Sequence, residues 1–228
     1  MERLLTNDRF IAFKRAKRDY EDPPENTLNF AYENRRYVKL ATELKDSDNI
    51  LKQKILEEVN KDFWDHTNIV QALMTSDLVH VLIDHLQDPD DVLRELSINS
   101  MIYVCAFYRG REFIIDNGYI KKISALWDDK VTTIREKAHR SLLNLCEHDN
   151  GINPSLEVGL LERLVEKLAE EKQERILVLI LNMIKKLLHG EGGTDKALLT
   201  PLIDHLLRFL KSQNPQLREY GAINLGAL

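Results

Sequence analysis

Apolar residues recur along most of the chain at steps of three and four, the spacing that places side chains on one face of an α-helix. In three segments this face also includes two small residues at fixed positions, which allow a neighbouring helix to approach closely. The three faces are Leu93, Ser97, Ser100, Met101 and Val104; Ile134, Ala138, Ser141, Leu142 and Leu145; and Leu217, Gly221, Asn224, Leu225 and Leu228. The pattern predicts amphipathic helices of one design that pack against similar neighbours.

The spacing of these helices defines a repeat. An Arg-Glu pair follows the first apolar residue of each face, and Arg94 and Arg135 lie 41 residues apart. Arg218 follows Arg135 by 83 residues, which is two periods of about 41 to 42. The two cysteines, Cys105 and Cys146, are also 41 residues apart. Periods of ~40–47 residues are typical of HEAT and armadillo units, whereas tetratricopeptide repeats have a period of ~34.

Two more segments extend the repeat. The segment Ile176–Leu187 keeps the spacing but has Ile180 and Met183 at the small positions. The segment Leu51–Val59 matches the pattern least well, as expected of a terminal unit. The sequence therefore contains about five repeats.

Each unit contains more than one helix. An apolar helix precedes the repeated helix at Leu78–Leu86, Tyr119–Trp127, Leu160–Leu168 and Leu202–Leu210. A shorter helix before it ends near Gly118 or Gly159, where glycine can adopt the left-handed conformation of a helix C-terminus. Three helices per unit favour armadillo over two-helix HEAT units. We predict an all-α, right-handed armadillo-type α-solenoid over residues 32–228, preceded by an N-terminal arm at residues 1–31.

The arm lacks the repeat pattern. Lys14–Arg18 form a basic cluster, and Pro23 and Pro24 separate an early helix from an extended connector. The cluster is predicted to be a solvated or partner-docked helical tail, with a nuclear import signal or a contact to an acidic surface such as a microtubule as alternatives. We expect the arm to be ordered by a neighbour.

Composition agrees with a folded, helical chain without a strong charge preference. Of 228 residues, 43% are hydrophobic and 30% are charged, with 9 glycines and 6 prolines. The net charge of −5 is too small to predict nucleic acid or a membrane surface as a partner. Two cysteines are too few for a disulfide framework, which indicates a reducing compartment, and the N-terminus has no pattern of a secretion signal.

Third helices line the concave groove of armadillo solenoids, so their non-core positions are the predicted site. Stacked repeats form extended concave surfaces of this kind, which bind proteins. The predicted groove residues are Glu95, Asn99, Tyr103, Glu136, Arg140, Asn144, Asn182 and Lys186. These positions lack the repeated tryptophans of importin-like armadillo proteins, which argues against a nuclear import receptor. We also predict that Leu225 and Leu228 are exposed at the end of the array and form a second docking surface.

No pattern in the sequence predicts a catalytic, metal-binding or phosphate-binding site. Histidines and carboxylates are not at metal-ligand or catalytic spacing, and 189–196 is predicted to be a flexible connector between repeats, not a phosphate loop. We therefore expect a protein that is not an enzyme, has no metal or cofactor, and binds proteins instead of nucleic acid, membranes or small-molecule substrates.

The start of the chain resembles a particular family. Asp22-Pro23-Pro24, then Ala31-Tyr32, then RRYVKLATELKDSDNILKQKIL resembles the entry of the armadillo-type radial spoke subunit of motile cilia, although Glu33 replaces the glycine expected there. The segments LQDPDDVLRELS and NGYIKKISALWDD follow the same order as in that family. The resemblance implies a non-catalytic structural subunit of the axoneme, in the cilium or flagellum, that binds other radial spoke subunits. The alternative is a soluble cytoplasmic armadillo adaptor for signalling or cargo proteins.

Overall fold

The computed structural model describes residues 35–228, and within this range every regular element is helical. The α-helices are α1 (Arg35–Asp46), α2 (Asn49–Asp62), α3 (His66–Thr75), α4 (Leu78–Asp84), α5 (Asp91–Ala106), α6 (Tyr108–Asp116), α7 (Ile120–Ala125), α8 (Thr132–Cys146), α9 (Asp149–Glu157), α10 (Leu160–Glu170), α11 (Glu174–Leu188), α12 (Gly193–Leu198), α13 (Leu202–Phe209) and α14 (Pro215–Ala227). Short 3₁₀ turns follow α4 and α7, at His85–Gln87 and Leu126–Asp128. The predicted arm, with its basic cluster and Pro-Pro connector, lies outside the described residues.

The helices form three-helix units. Helices α3–α5, α6–α8, α9–α11 and α12–α14 are four such units, and α1 and α2 supply the second and third helix of a unit before them. The predicted second helices correspond to α4, α7, α10 and α13 with their 3₁₀ turns, to within two residues at each end. Within the described range, the prediction of an all-α chain built from three-helix units is confirmed.

The third helices hold the stack together. Helices α2, α5, α8, α11 and α14 lie side by side, and each packs on the next. Their core positions are equivalent, meaning 41 or 42 residues apart: Met101, Leu142 and Ile184 are all fully buried. One continuous hydrophobic core therefore runs through the units, as expected when a single unit cannot bury its own apolar face.

Turns between helices follow from local sequence. Asp90 is the N-cap of α5, where its carboxylate accepts a hydrogen bond of 2.9 Å from the Val92 N–H. Gly118 and Gly159 have φ angles of 67° and 80°, the left-handed conformation predicted at the end of each first helix. Asp90 therefore satisfies one of the free N–H groups at the start of α5.

A second set of glycines allows the first helix of a unit to approach the preceding third helix. A Cβ atom at Gly110, Gly151 or Gly193 would lie 2.0, 2.0 or 2.1 Å from a carbonyl oxygen of that helix, namely those of Val104, Leu145 and Leu187. These glycines are 41 and 42 residues apart. At the equivalent position in α3, Asn68 donates a 2.9 Å hydrogen bond to the Asp62 carbonyl oxygen instead.

The predicted flexible connector at 189–196 is wrong in its second half. Gly193–Leu198 form α12, the first helix of the last unit. Gly192, with a φ angle of 69°, reverses the chain, and Gly193 lets the new helix begin directly against α11. The glycine-rich sequence therefore provides close packing, which its composition alone does not distinguish from flexibility.

Among the described helices, no single one is long and apolar enough to cross a membrane. One pair of successive helical segments meets the length and composition requirement together, namely His66–Thr75 and Leu78–Gln87. The two are bent by 94° at the break between them.

Candidate protein-binding groove

Ion pairs connect successive third helices along the predicted groove. Glu95 of α5 accepts hydrogen bonds from Lys137 Nζ, at 2.8 Å, and from Thr133 Oγ1, at 3.1 Å, both on α8. The bond from Lys137 holds the pKa of the Glu95 carboxyl below its usual value. Glu136 of α8 pairs in the same way with Arg175 of α11, at 2.9 Å. The carboxylates predicted to face a ligand therefore join one unit to the next.

The same pattern continues toward the C-terminal ends of these helices. Lys186 of α11 donates to Glu147, which follows α8, at 2.6 Å. Arg140 is on α8 with Glu136 and lies 3.4 Å from its carboxylate. Arg140 is exposed, whereas Lys186 is half-buried. Within the groove, Arg140 is thus the predicted cation most accessible to a partner.

Asparagine side chains cross-link the third helices by hydrogen bonds. Asn144 Nδ2 donates to the Ile102 carbonyl oxygen across the α5–α8 contact, at 3.0 Å. Asn99 Nδ2 donates to Asn60 Oδ1 at 3.1 Å, and Asn60 donates to the Leu96 carbonyl oxygen at 3.0 Å. Two of the predicted groove asparagines, Asn99 and Asn144, thus stabilise the stack.

The predicted groove residues are less accessible than expected. Half-buried side chains are those of Glu95, Asn99, Tyr103, Glu136, Asn144, Asn182 and Lys186. Neighbouring third helices are close enough to cover these side chains in part. Their role in binding stays a prediction.

An aromatic cluster that the sequence patterns did not assign to the groove lies beside Tyr103. The Trp64 ring, in the turn between α2 and α3, is 6.1 Å from the Tyr103 ring in an edge-to-face arrangement. His66 stacks on Phe107, with ring centroids 5.1 Å apart. Trp64 is 77% exposed. A tryptophan that is held at one edge by Tyr103 and is otherwise open to solvent has the features of a binding hot spot.

A concavity lies between α5 and α8. Its volume is about 270 Å³, and its lining residues are Asn99, Ile102, Thr133, Glu136, Lys137 and Arg140. Three of these, Asn99, Glu136 and Arg140, are predicted groove residues. The lining offers amide, carboxylate, ammonium and guanidinium groups, which suits hydrogen bonding to a polypeptide segment.

Leu225 and Leu228 of the last third helix are half-buried, not exposed as predicted. Both pack against the hydrophobic core because α14 lies on α11 and on α13. Their equivalents in the preceding unit, Ile184 and Leu187, are fully buried. The outer side of α14 is therefore partly open, although less so than the sequence suggested.

Groups with reactive side chains are dispersed or buried. Residues 35–228 contain no group of three His, Cys, Asp or Glu side chains placed to hold a metal ion. Cys105 and Cys146 are buried free thiols, and burial raises the pKa of both. Buried neutral thiols of this kind are core residues of the stack.

Solved structures with a similar fold are designed armadillo repeat proteins. A computationally designed armadillo repeat protein for modular peptide recognition superposes with a TM-score of 0.76 and 16% identity, covering 83% of this chain and 80% of that one. A designed armadillo repeat protein in complex with the peptide (KR)4 has a TM-score of 0.74 and 15% identity, over 86% of both chains. No protein-family model matches the chain.

These similarities, together with the three-helix units, define the class of protein. The chain is an all-α armadillo-type solenoid. At 15% and 16% identity the similarity establishes the fold.

Proposed function

We propose that this chain is a non-catalytic protein-binding scaffold that holds an extended segment or a helix of a partner protein in its concave groove. The exposed Trp64 ring beside Tyr103 is the observation that carries the proposal. A few central residues usually supply most of the binding energy of an interface, and tryptophan is common among them. Burying the exposed tryptophan against a partner is therefore expected to contribute strongly to binding. The concavity at Asn99 and Arg140 then supplies polar contacts that orient the bound segment.

The charge pattern of the groove restricts the partner. Glu95 and Glu136 are engaged by Lys137 and Arg175, so the groove has no continuous strip of one charge. A partner with alternating polar and apolar residues fits this surface better than a strongly basic or strongly acidic peptide. In this proposal, the groove therefore does not recognise its partner by charge alone.

A direct test compares groove variants in a partner-binding assay. Trp64→Ala and Arg140→Glu are each expected to weaken partner binding on the order of tenfold or more. Met74→Ala is the matched control, because Met74 is equally exposed but lies on the first helix α3. Binding that is insensitive to both groove variants would exclude the groove as the binding surface.

We further propose that the scaffold is a subunit of the radial spoke in the axoneme of motile cilia or flagella, with other spoke subunits as its partners. Support comes from the resemblance of residues 22–56 to the entry of the armadillo-type radial spoke subunit. A repeated stack with a groove suits a structural part that must contact several elongated neighbours at once. The arm, the groove and the end of the array are the contact regions in this proposal.

The spoke assignment is tested by cross-linking mass spectrometry with the chain as bait in ciliated cells. Cross-links from Lys186 and Lys137 to spoke subunits are expected, together with retention of the chain in detergent-extracted axonemes. Cross-links confined to soluble cytoplasmic proteins would support a cytoplasmic adaptor and end the spoke assignment, while the groove proposal would remain.

A further inference from the structure

The junction between α10 and α13 is more open than the equivalent junction one unit earlier. Between α7 and α10, Arg163 donates hydrogen bonds to Ser124 Oγ at 3.2 Å and to the Asp128 carboxylate at 2.6 Å, and its side chain crosses the space between the two helices. The residue equivalent to Arg163 in α13 is His205. Its side chain lines a concavity of about 430 Å³ between α10 and α13.

A second concavity, of about 730 Å³, continues the first along the same junction, and Ala169 lines both. The equivalent recess at the preceding junction is lined by the charged residues Arg135 and Lys167. In the second concavity, Leu177 and Phe209 occupy those two positions. The earlier recess is open although a further unit follows it, so such an opening belongs to the junction between two units. The two concavities together form the α10–α13 cleft, which is apolar in its middle.

Leu199 lies at the edge of the α10–α13 cleft and is 88% exposed. Its equivalents, 42 and 83 residues earlier, are Glu157 and Asp116. Both are exposed, although a following unit packs on each of their units. This position therefore faces solvent in the interior of the stack as well, and in the last unit it is a large aliphatic residue. An exposed leucine beside an apolar cleft is typical of a surface that binds a polypeptide.

The α10 side of the cleft is acidic. Three glutamates line it at intervals of four residues, which places them on one face of the helix: Glu162, Glu166 and Glu170. Lys167 pairs with Glu170. One carboxylate oxygen of Glu162 is buried and has no hydrogen-bond partner within residues 35–228. A buried carboxylate oxygen without a donor is costly, and a cation of a bound segment would supply that donor.

The charges at the other end of the cleft restrict the direction of a bound segment. Arg208 and Lys211 line that end, where Glu171 is already bound to Arg135. A segment that fits therefore has large apolar residues for the middle of the cleft and a group of cations on one side of them, directed toward Glu162. Cations on the other side would meet like charges.

Residues 10–18 of this chain, FIAFKRAKR, have this composition. Three large apolar residues come first, namely Phe10, Ile11 and Phe13. Four cations follow within five residues, namely Lys14, Arg15, Lys17 and Arg18. The two residues before the segment, Asp8 and Arg9, have opposite charges and add no net charge on the other side. The segment and the cleft are therefore complementary in both charge and apolar character.

The segment can reach the cleft within one molecule. The connector between it and α1 is residues 19–34, and 16 residues span up to about 50 Å when extended. The third helices α2, α5, α8 and α11 are in contact in succession. Helices in contact lie about 8–10 Å apart, so three such steps amount to about 30 Å. The connector is long enough for this distance.

We propose that residues 10–18 dock in the α10–α13 cleft of the same molecule. Phe10, Ile11 and Phe13 occupy the apolar middle of the cleft and cover Leu199, and the cations of Lys14–Arg18 face Glu162 and Glu166. The contact uses neither Trp64 nor the third helices that line the groove. It therefore stands or falls independently of the proposed function.

Limited trypsin digestion of the full 228-residue chain measures docking, because a protease cleaves at Lys14–Arg18 only when the segment is released. Glu162→Lys/Glu166→Lys is expected to raise the initial rate of cleavage at these residues on the order of tenfold, since it places like charges at the contact. Asp116→Lys/Glu157→Lys is the matched control, because it makes the same charge change at two exposed positions that do not line the cleft. Equal cleavage rates in the unmodified chain and in the cleft variant would overturn the proposal.

An exchange of charges separates docking from an effect of the substitutions on α10 itself. Lys14→Glu/Lys17→Glu combined with Glu162→Lys/Glu166→Lys is expected to be cleaved more slowly after Arg15 and Arg18 than Lys14→Glu/Lys17→Glu alone, because opposite charges meet again in the combination. The two variants share the same cleavage sequence. Circular dichroism confirms that each is folded. A combination that is cleaved as fast as the arm variant alone would contradict the contact.

Zero-length carbodiimide cross-linking distinguishes docking within one molecule from docking between copies. In an equal mixture of isotope-labelled and unlabelled chains, we expect cross-links from Lys14 or Lys17 to Glu162 or Glu166 in which both peptides carry the same isotope. Cross-linked peptides of mixed isotope composition would show that the segment docks on a second copy and would overturn docking within one molecule. A chain without any cross-link between the segment and α10 would overturn the contact altogether.

Discussion

The guanidinium group of Arg94 in α5 binds the carboxylate of Asp129, which lies in the turn before α8, with 2.8 Å between Nε and Oδ2. The two side chains are 10% and 6% exposed. A second nitrogen of Arg94 bonds to the Asp88 and Pro89 carbonyl oxygens, in the turn of its own unit. One side chain therefore closes its own turn and holds the next unit in place.

Removing one partner of such a bridge is expected to destabilise the stack more than removing both. The Arg135–Glu171 bridge is the test case, because the next contact along the chain has Leu177 and Ser212 instead. We expect Arg135→Leu to lower the free energy of unfolding by about 2–4 kcal/mol, since the nearly buried carboxylate of Glu171 loses its cationic partner. The double variant Arg135→Leu/Glu171→Ser is expected to recover at least half of that loss.

Urea denaturation of the two single variants and the double variant measures this coupling. Lys172→Glu, an exposed charge reversal in the α10–α11 turn, serves as a surface control with an expected effect within about 0.5 kcal/mol. Strictly additive losses would show that the bridge contributes no coupling between units.

Stability is expected to fall between about pH 6.5 and about pH 4 because of His139. Burial lowers the pKa of this side chain to about 4. Its ring stacks on Trp127 with centroids 4.6 Å apart, and Nδ1 lies 2.8 Å from the Arg135 carbonyl oxygen. The unfolded chain binds a proton at higher pH than the folded chain, so acidification through this window favours unfolding, by at most about 3 kcal/mol.

His139→Leu tests this cause. The equivalent residues in α5 and α11 are Ile98 and Leu181, which are fully buried, so an aliphatic side chain fits the position. We expect the difference in unfolding free energy between about pH 7.5 and about pH 5 to shrink in the variant, as measured by urea denaturation at both values. An unchanged difference would assign the pH dependence to the carboxylates instead.

Gly151→Ala is expected to destabilise the junction between α8 and α9. The added Cβ would lie 2.0 Å from the Leu145 carbonyl oxygen, so the two helices must move apart. We expect a loss of about 2–4 kcal/mol in unfolding free energy by thermal or chemical denaturation. Gly226→Ala is the matched control, because no atom lies within 4 Å of its Cβ position in α14. It should be neutral or slightly stabilising, since alanine favours a helix; an equal loss at both sites would contradict the close-approach explanation.

Both thiols are expected to resist modification while the chain is folded. Burial raises the pKa of Cys146 to about 12 and also raises that of Cys105. Because the thiolate is the reactive form, a thiol reagent such as an aromatic disulfide should react at a rate set by unfolding. Titration with and without denaturant measures this, and rapid reaction of the native chain would show that the α5–α8 contact opens readily.

The helices could be predicted well from the sequence, because a helical face is defined by residues only three or four positions apart. The five-residue faces that begin at Leu93, Ile134 and Leu217 became the buried sides of α5, α8 and α14, with partial exposure limited to Leu225 and Leu228. The glycines at 110, 151 and 193 have the same period, and this period is a signal in the sequence for a helix at Gly193 in place of a connector.

The groove was harder to predict because accessibility depends on partners that are distant in sequence. Helical position alone assigns Glu95 and Asn144 to the non-core side. In the structure, however, Glu95 accepts a hydrogen bond from Lys137, and Asn144 donates one to the Ile102 carbonyl oxygen. Trp64 lies outside the third helices in the sequence, and only its contact with Tyr103 brings it to the groove.

The sequence by itself determined that this protein is a stack of three-helix units, because periodic apolar faces, turn carboxylates and glycines act within a few residues of one another. The tertiary structure decided which polar side chains remain for a partner, because units about 41 residues apart are brought into contact and their ion pairs and amide hydrogen bonds are formed between units.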